Sequence, residues 1–138
     1  MNLFINSPAY YTTKNGIIDD IYFLCVCISK NIDIASYTNI IETIGITPII
    51  APKEEINWIE TKKISLKYKI ANISLRSDYD TFCNGDILTK QKIILDNIFS
   101  SLYVIKRKIG ANFNYEQMKC DIIRILKEKI GYDFEQTV

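Results

Sequence analysis

The segment KISLKYKIANISLRSD, residues 63–78, carries two alternations of apolar and polar side chains in opposite phase. In the first, Ile64, Leu66, Tyr68 and Ile70 alternate with Ser65, Lys67 and Lys69, the two-residue period of a strand with one apolar and one polar face. The apolar parity then moves by one, to Ile73 and Leu75. Successive side chains of a strand point to opposite faces, so such a slip needs a bulge or a turn, and Ala71-Asn72 is where it falls. Two antiparallel strands, or one bulged strand, satisfy the pattern. The chain therefore contains sheet, and the flanking segments set the class of fold.

Downstream the period becomes helical. A helix is expected from Asp86, just after Gly85, with Ile87, Gln91, Ile94, Leu95, Ile98, Leu102, Ile105 and Ile109 in a stripe at three- and four-residue spacing. Lys106, Arg107 and Lys108 fall in its last turn, where the helix dipole favours cations, and Gly110 can stop it. A second helix begins at Asn114, a good N-cap, with Gln117 placed as in a capping box. Its apolar face is Met118, Ile122, Ile125, Leu126 and Ile130, and Gly131 ends it. The short link, residues 110–113, predicts an antiparallel pair.

Upstream, residues 2–6 (NLFIN) read as a short strand ending at Ser7-Pro8, and Asn15-Gly16 is a turn. Residues 17–32 read as a helix, with Ile17, Ile18, Ile21, Leu24, Cys25, Ile28 and Ile32 on one face; a fully buried strand over residues 22–28 is the less favoured alternative. Residues 39–44 suit a helix end stopped by Gly45 or a strand start. Residues 46–51 (ITPIIA) look like a strand cut by Pro48 and ended by Pro52, and residues 53–61 like a loop or one helical turn. The expected fold is α+β: a mostly antiparallel sheet packed against two C-terminal antiparallel helices, with a further helix near the N-terminus. No linker, repeat or low-complexity tract divides residues 1–138, so one domain is expected.

Composition narrows the chemistry. At 48% hydrophobic and 24% charged, the chain is globular and needs neither disulfide nor metal to assist its core. The N-terminus has no basic region before a long apolar run, and the longest apolar stretch, residues 21–28, is far below the ~20 residues that cross a bilayer. The chain is thus read as cytoplasmic, with Cys25, Cys27, Cys83 and Cys120 as free thiols. Cys25 and Cys27 lack the C-x-x-C spacing of redox and zinc sites, so no metal or other cofactor is expected.

There is no histidine, which removes Ser-His-Asp and Cys-His catalysis and histidine general bases. No phosphate-binding glycine loop, nucleophile elbow or zincin motif occurs. Asp19-Asp20, Glu54-Glu55, Asp78 and Asp80 are carboxylates without a recognisable catalytic setting, since neighbours on a helix or strand diverge. The chain is therefore not expected to be an enzyme.

Charge is uneven: residues 1–60 hold seven acids and three lysines, and residues 61–138 nine acids and fourteen bases, giving −4 and +5. Lys62-Lys63 with Lys106-Arg107-Lys108 could bind nucleic acid, but the pI of about 7.6 argues against it. A nucleic-acid-binding accessory protein using the basic C-terminal half is the alternative reading. The aromatic residues suggest protein contact instead. Trp58 stands among Glu54, Glu55 and Glu60, and Tyr10 and Tyr11 fall in a polar loop.

Residues 2–6, 46–50, 71–82 (ANISLRSDYDTF), 88–105 and 112–125 together resemble the small immunity proteins of bacterial polymorphic-toxin and contact-dependent growth inhibition systems. The most specific part is Leu75-Arg76-Ser77-Asp78-Tyr79 with Phe82, followed by a long helix carrying Ser101-Leu102. The resemblance implies a non-enzymatic inhibitor, encoded beside its toxin, that covers the toxin's active surface in the cytosol. It also implies that Arg76 and Asp78 support the fold. Many such toxins are nucleases with basic clefts, and an acidic, aromatic-bearing surface would complement one. The contact surface is expected at Glu54, Glu55, Trp58 and Glu60, with Asp19, Asp20, Tyr10 and Tyr11 next.

Overall fold

In the computed structural model, which describes residues 3–5, 17–54 and 64–131, the alternation of residues 63–78 resolves into two antiparallel strands. They are β3 (Ile64–Ser65) and β4 (Ile70–Asp78), with Ile64 opposite Ala71 and Ser65 opposite Ile70. The turn occupies residues 66–69, not Ala71-Asn72. Lys69 takes a φ of 56°, and its N–H donates to the Leu66 carbonyl at 3.3 Å. That reversal changes the phase before β4 starts, so Ala71 and Leu75 both enter the core without a bulge between them. Leu66 and Tyr68, assigned by the alternation to an apolar face, are left 49% and 66% exposed at the turn.

The sheet order is β1-β2-β4-β3, where β1 is Leu3–Ile5 and β2 is Thr43–Ala51. β1 pairs parallel with β2, and β2 parallel with β4. The sheet is therefore mixed, which corrects the expectation of a mostly antiparallel one. The reason is connectivity: helix α1 (Ile17–Asn31) returns the chain between β1 and β2, as a parallel pair requires. β2 also reads as a parallel strand reads, apolar on both faces. Ile44, Ile46 and Ile50 enter the helical core, while Ile49 and Ala51, of the opposite parity, are also fully buried. Pro48 does not cut β2. It stays in register with β4, opposite Leu75, and the parallel ladder runs on to Ala51 opposite Asp78.

Helix α1 buries Ile21, Leu24, Cys25 and Ile28, the face that its spacing marks. After β4, Asp78 caps α2 (Tyr79–Asn84) by accepting from the Thr81 N–H at 3.0 Å. Asp86 caps α3 (Ile87–Ile109) by accepting from the Thr89 N–H at 2.8 Å. In α3 the buried stripe runs from Ile94 to Ile109, whereas Ile87, its expected first member, is 68% exposed. Asn97 of α3 reaches the sheet, accepting from the Arg76 backbone N–H at 3.1 Å.

Gly110, at φ 63°, ends α3 and opens a single 3₁₀ turn before α4 (Tyr115–Ile130). Lys106 holds this link, donating from Nζ to the carbonyls of Gly110 at 3.0 Å and Phe113 at 2.9 Å. Asn114 caps α4 as expected, but the capping box is not closed reciprocally. Gln117 donates its side-chain amide to Asp121 at 2.9 Å, and the Asn114 N–H donates to the Tyr37 carbonyl at 2.8 Å. Gly131, at φ 71°, ends the helix. Side chains from α1, α3 and α4 meet Ile44, Ile46, Ala71 and Leu75 of the sheet in one apolar cluster. Among the described residues, no helix is long and apolar enough to cross a membrane.

Candidate partner-binding site

Parallel strands end at a common edge, and the acids of the described residues concentrate there. β2 finishes at Ala51 and is followed by a turn in which Lys53 and Glu54 are exposed. β4 finishes at Asp78, and the chain passes through Asp80 to Asp86. α1 carries the chain from the end of β1 back to the start of β2, so its first turn, with Asp19 and Asp20, belongs to the same end of the sheet. This edge therefore holds Asp19, Asp20, Glu54, Asp78, Asp80 and Asp86, with Lys53 beside Asp78 and Lys90 over the Phe82 ring of α2.

Two of these acids are tied to the backbone. The Thr81 N–H, and then the Thr81 hydroxyl at 3.1 Å, hold the Asp78 carboxyl below the usual carboxylate range. The Thr89 N–H does the same for Asp86. Both stay ionised at neutral pH while starting a helix, which agrees with a fold-supporting role for Asp78.

Of the residues expected to touch a partner, the structure brings Asp19, Asp20 and Glu54 to one end of the sheet. Glu55, Trp58, Glu60, Tyr10 and Tyr11 lie outside the described residues. Sequence reasoning passed over other exposed apolar groups. Tyr22 and Phe23, just after Asp20 on α1, are 58% and 55% exposed, and Ile87 and Leu88 open α3 at the acidic edge. A signal for the aromatic pair was present, because Tyr22 and Phe23 fall off the face formed by Ile21, Leu24, Cys25 and Ile28. For Ile87 the stripe gave the opposite answer.

The other charged group expected in the sequence, Lys106-Arg107-Lys108, does not act as one patch. Lys106 is half-buried and bound to two carbonyls, and only Arg107 and Lys108 face solvent.

Two hollows lie on the described surface. One, of ≈ 260 Å³, lies between the segment after α1 and the β3–β4 turn, with Asp33, Glu42 and Lys69 in its wall. Its charges are internally paired in part, Lys69 to Glu42 at 3.5 Å. The other, of ≈ 440 Å³, is an open groove between α3 and α4 walled by Phe99, Tyr103 and Tyr115, with Asp96, Ser100 and Lys119 at its margins.

The family model described as immunity protein 44 matches residues 1–128 of the 138. No curated protein and no solved structure matches.

Proposed function

The chain belongs to the immunity protein 44 family, and on that premise we propose that it binds a cognate bacterial toxin and neutralises it by direct contact. The family match over residues 1–128 carries this reading. It acts by covering a surface rather than by catalysis, in the cytoplasm of the cell that makes it, against a toxin encoded by a neighbouring gene of a polymorphic-toxin or contact-dependent inhibition system.

The toxin is of the nuclease type. This is supported by the acids at the carboxyl edge of the sheet, which suit a basic substrate cleft. Glu54, Asp19 and Asp20 face that partner, with Glu55, Trp58, Glu60, Tyr10 and Tyr11 continuing the surface and Tyr22 and Phe23 as further apolar anchors.

The test is to express the neighbouring gene's product alone and together with this chain. Growth arrest by the product alone, rescue on co-expression and a stable co-purifying complex are expected. A harmless neighbour that does not bind would overturn the reading.

A further inference from the structure

We infer that the groove between α3 and α4 is a socket for an acidic side chain of the toxin, received by Lys119. The inference rests on the reading of the protein as a toxin inhibitor and adds to it a second contact, away from the acidic edge.

The groove is concave, ≈ 440 Å³ in volume, and aromatic. Its floor is buried: Phe99 and Tyr115 are 5% and 7% exposed, and the Tyr115 hydroxyl donates to the Phe99 carbonyl at 3.4 Å. Tyr103 stands edge-on to Tyr115, with ring centroids 5.7 Å apart, and is itself 50% exposed at the mouth. Ser100 is exposed beside it.

Charge selects the occupant. Asp96 is already engaged by Lys92 at 2.8 Å. Lys119 is half-buried, its ammonium lies 5.4 Å from the centre of the Phe99 ring, and among the described residues it forms no ion pair. Among the residues that wall the groove, the charge without an ion pair is thus one cation over an aromatic wall, and Glu116, whose charge reaches Tyr115, lies outside that wall. A carboxylate arriving there gains an ion pair partly shielded from water, and its aliphatic stem packs on Tyr103 and Phe99. An incoming Lys or Arg would meet Lys119 as a like charge. Interface anchors concentrate in such aromatic-lined recesses, where surrounding contacts exclude water.

The experiment measures affinity for a catalytically inactive form of the toxin, by titration calorimetry, with wild type, Lys119→Glu, Lys119→Arg, Ser100→Trp and the control Lys108→Glu. Ser100 and Lys108 are exposed, and thermal melts would show that every variant folds. Lys119→Glu and Ser100→Trp, which reverse the charge and fill the mouth, should each weaken binding by about tenfold or more. Lys119→Arg and Lys108→Glu should stay within about threefold, and one Asp or Glu to Lys change in the toxin should restore binding to Lys119→Glu. Wild-type affinity in both Lys119→Glu and Ser100→Trp would overturn the socket and leave the inhibitor reading standing. No binding by wild type itself would overturn both. Self-association of wild type that Lys119→Glu abolishes would make a second copy the occupant and overturn the assignment to the toxin.

Discussion

Tyr37 and Asp121, 84 residues apart in sequence, join the segment after α1 to helix α4 through one hydrogen bond from the phenol to the carboxylate. Burial, and then this bond and the negative charge behind it, push the Tyr37 hydroxyl up to about 12 from an ordinary value of 10.0. The folded protein therefore holds the phenolic proton more tightly than the unfolded chain does. That contribution to stability is complete below pH 10.0 and is lost as pH rises through about 12. Asp121 shifts the other way. The Tyr37 hydroxyl foremost, then Gln117 and Arg124, hold its carboxyl below 3.8, so its contribution is present above that value and is lost as pH falls through the lowered one. Tyr37→Phe should cost about 1 kcal/mol at pH 7 and flatten the alkaline limb of the stability profile. Urea titrations at pH 7, 10 and 11 check this. Parallel alkaline limbs for wild type and variant would show that the pair is not coupled to folding.

At the scale of elements, two devices decide where segments turn. The β3–β4 turn places Lys69 at φ 56°, in the region where a side chain is strained by roughly 1 kcal/mol. Lys69→Gly relieves that strain but gives up an exposed ion pair with Glu42 worth well under 1 kcal/mol. A net gain of about 0.5 kcal/mol is expected, seen as a higher urea midpoint with an unchanged slope. At the α3–α4 link, Lys106 satisfies two carbonyls with one ammonium. Lys106→Met should cost about 2 kcal/mol, whereas Arg107→Gln, at an exposed position, should stay within about 0.5 kcal/mol. Equal effects of the two substitutions would contradict the capping role.

These two turns also mark where the sequence could be read and where it could not. Gly110, Asn114 and Gly131 announce helix ends through backbone chemistry that is local, and the structure has them there. Ile21, Leu24, Cys25 and Ile28 announce a helix face by spacing alone. The β3–β4 turn carries no glycine, proline or aspartate; its residues, Leu66 to Lys69, continue the strand's alternation, so nothing local betrays it. Strand direction is a property of the whole chain path. The clue was that β2 is apolar at consecutive positions, a mark of burial on both faces that alternation in residues 63–78 obscured. The grouping of Asp19, Asp20 and Glu54 was legible only as separate acids in an acidic half, because parallel strands, not sequence proximity, bring them to one edge. Lys119 gave no signal at all, since the groove that it borders exists only once α3 and α4 are placed.

For the whole molecule, the proposed function makes the distribution of charge a prediction about how it meets its partner. The acids at the carboxyl edge sit on separate elements, Asp19 and Asp20 on α1 and Glu54 after β2, so their fields add over a broad surface. A field of this kind acts before contact: it raises the association rate with a basic toxin, and the gain decays with ionic strength as the Debye length shortens to about 8 Å at 0.15 M salt. The triple variant Asp19→Asn, Asp20→Asn, Glu54→Gln keeps shape while removing three charges. Its association rate should fall by about tenfold at low salt and its slope against ionic strength should flatten, with a smaller change in dissociation. Asp19 and Asp20 also favour the first turn of α1, so a loss of about 0.5 kcal/mol per residue in folding stability is expected, too small to leave an appreciable unfolded fraction. Association rates measured from 20 mM to 500 mM NaCl separate the outcomes. If the variant and wild-type curves differ at low salt and converge at high salt, the carboxyl edge steers the encounter. If they coincide throughout, the toxin is approached from another face, and the groove at Lys119 becomes the first contact to map.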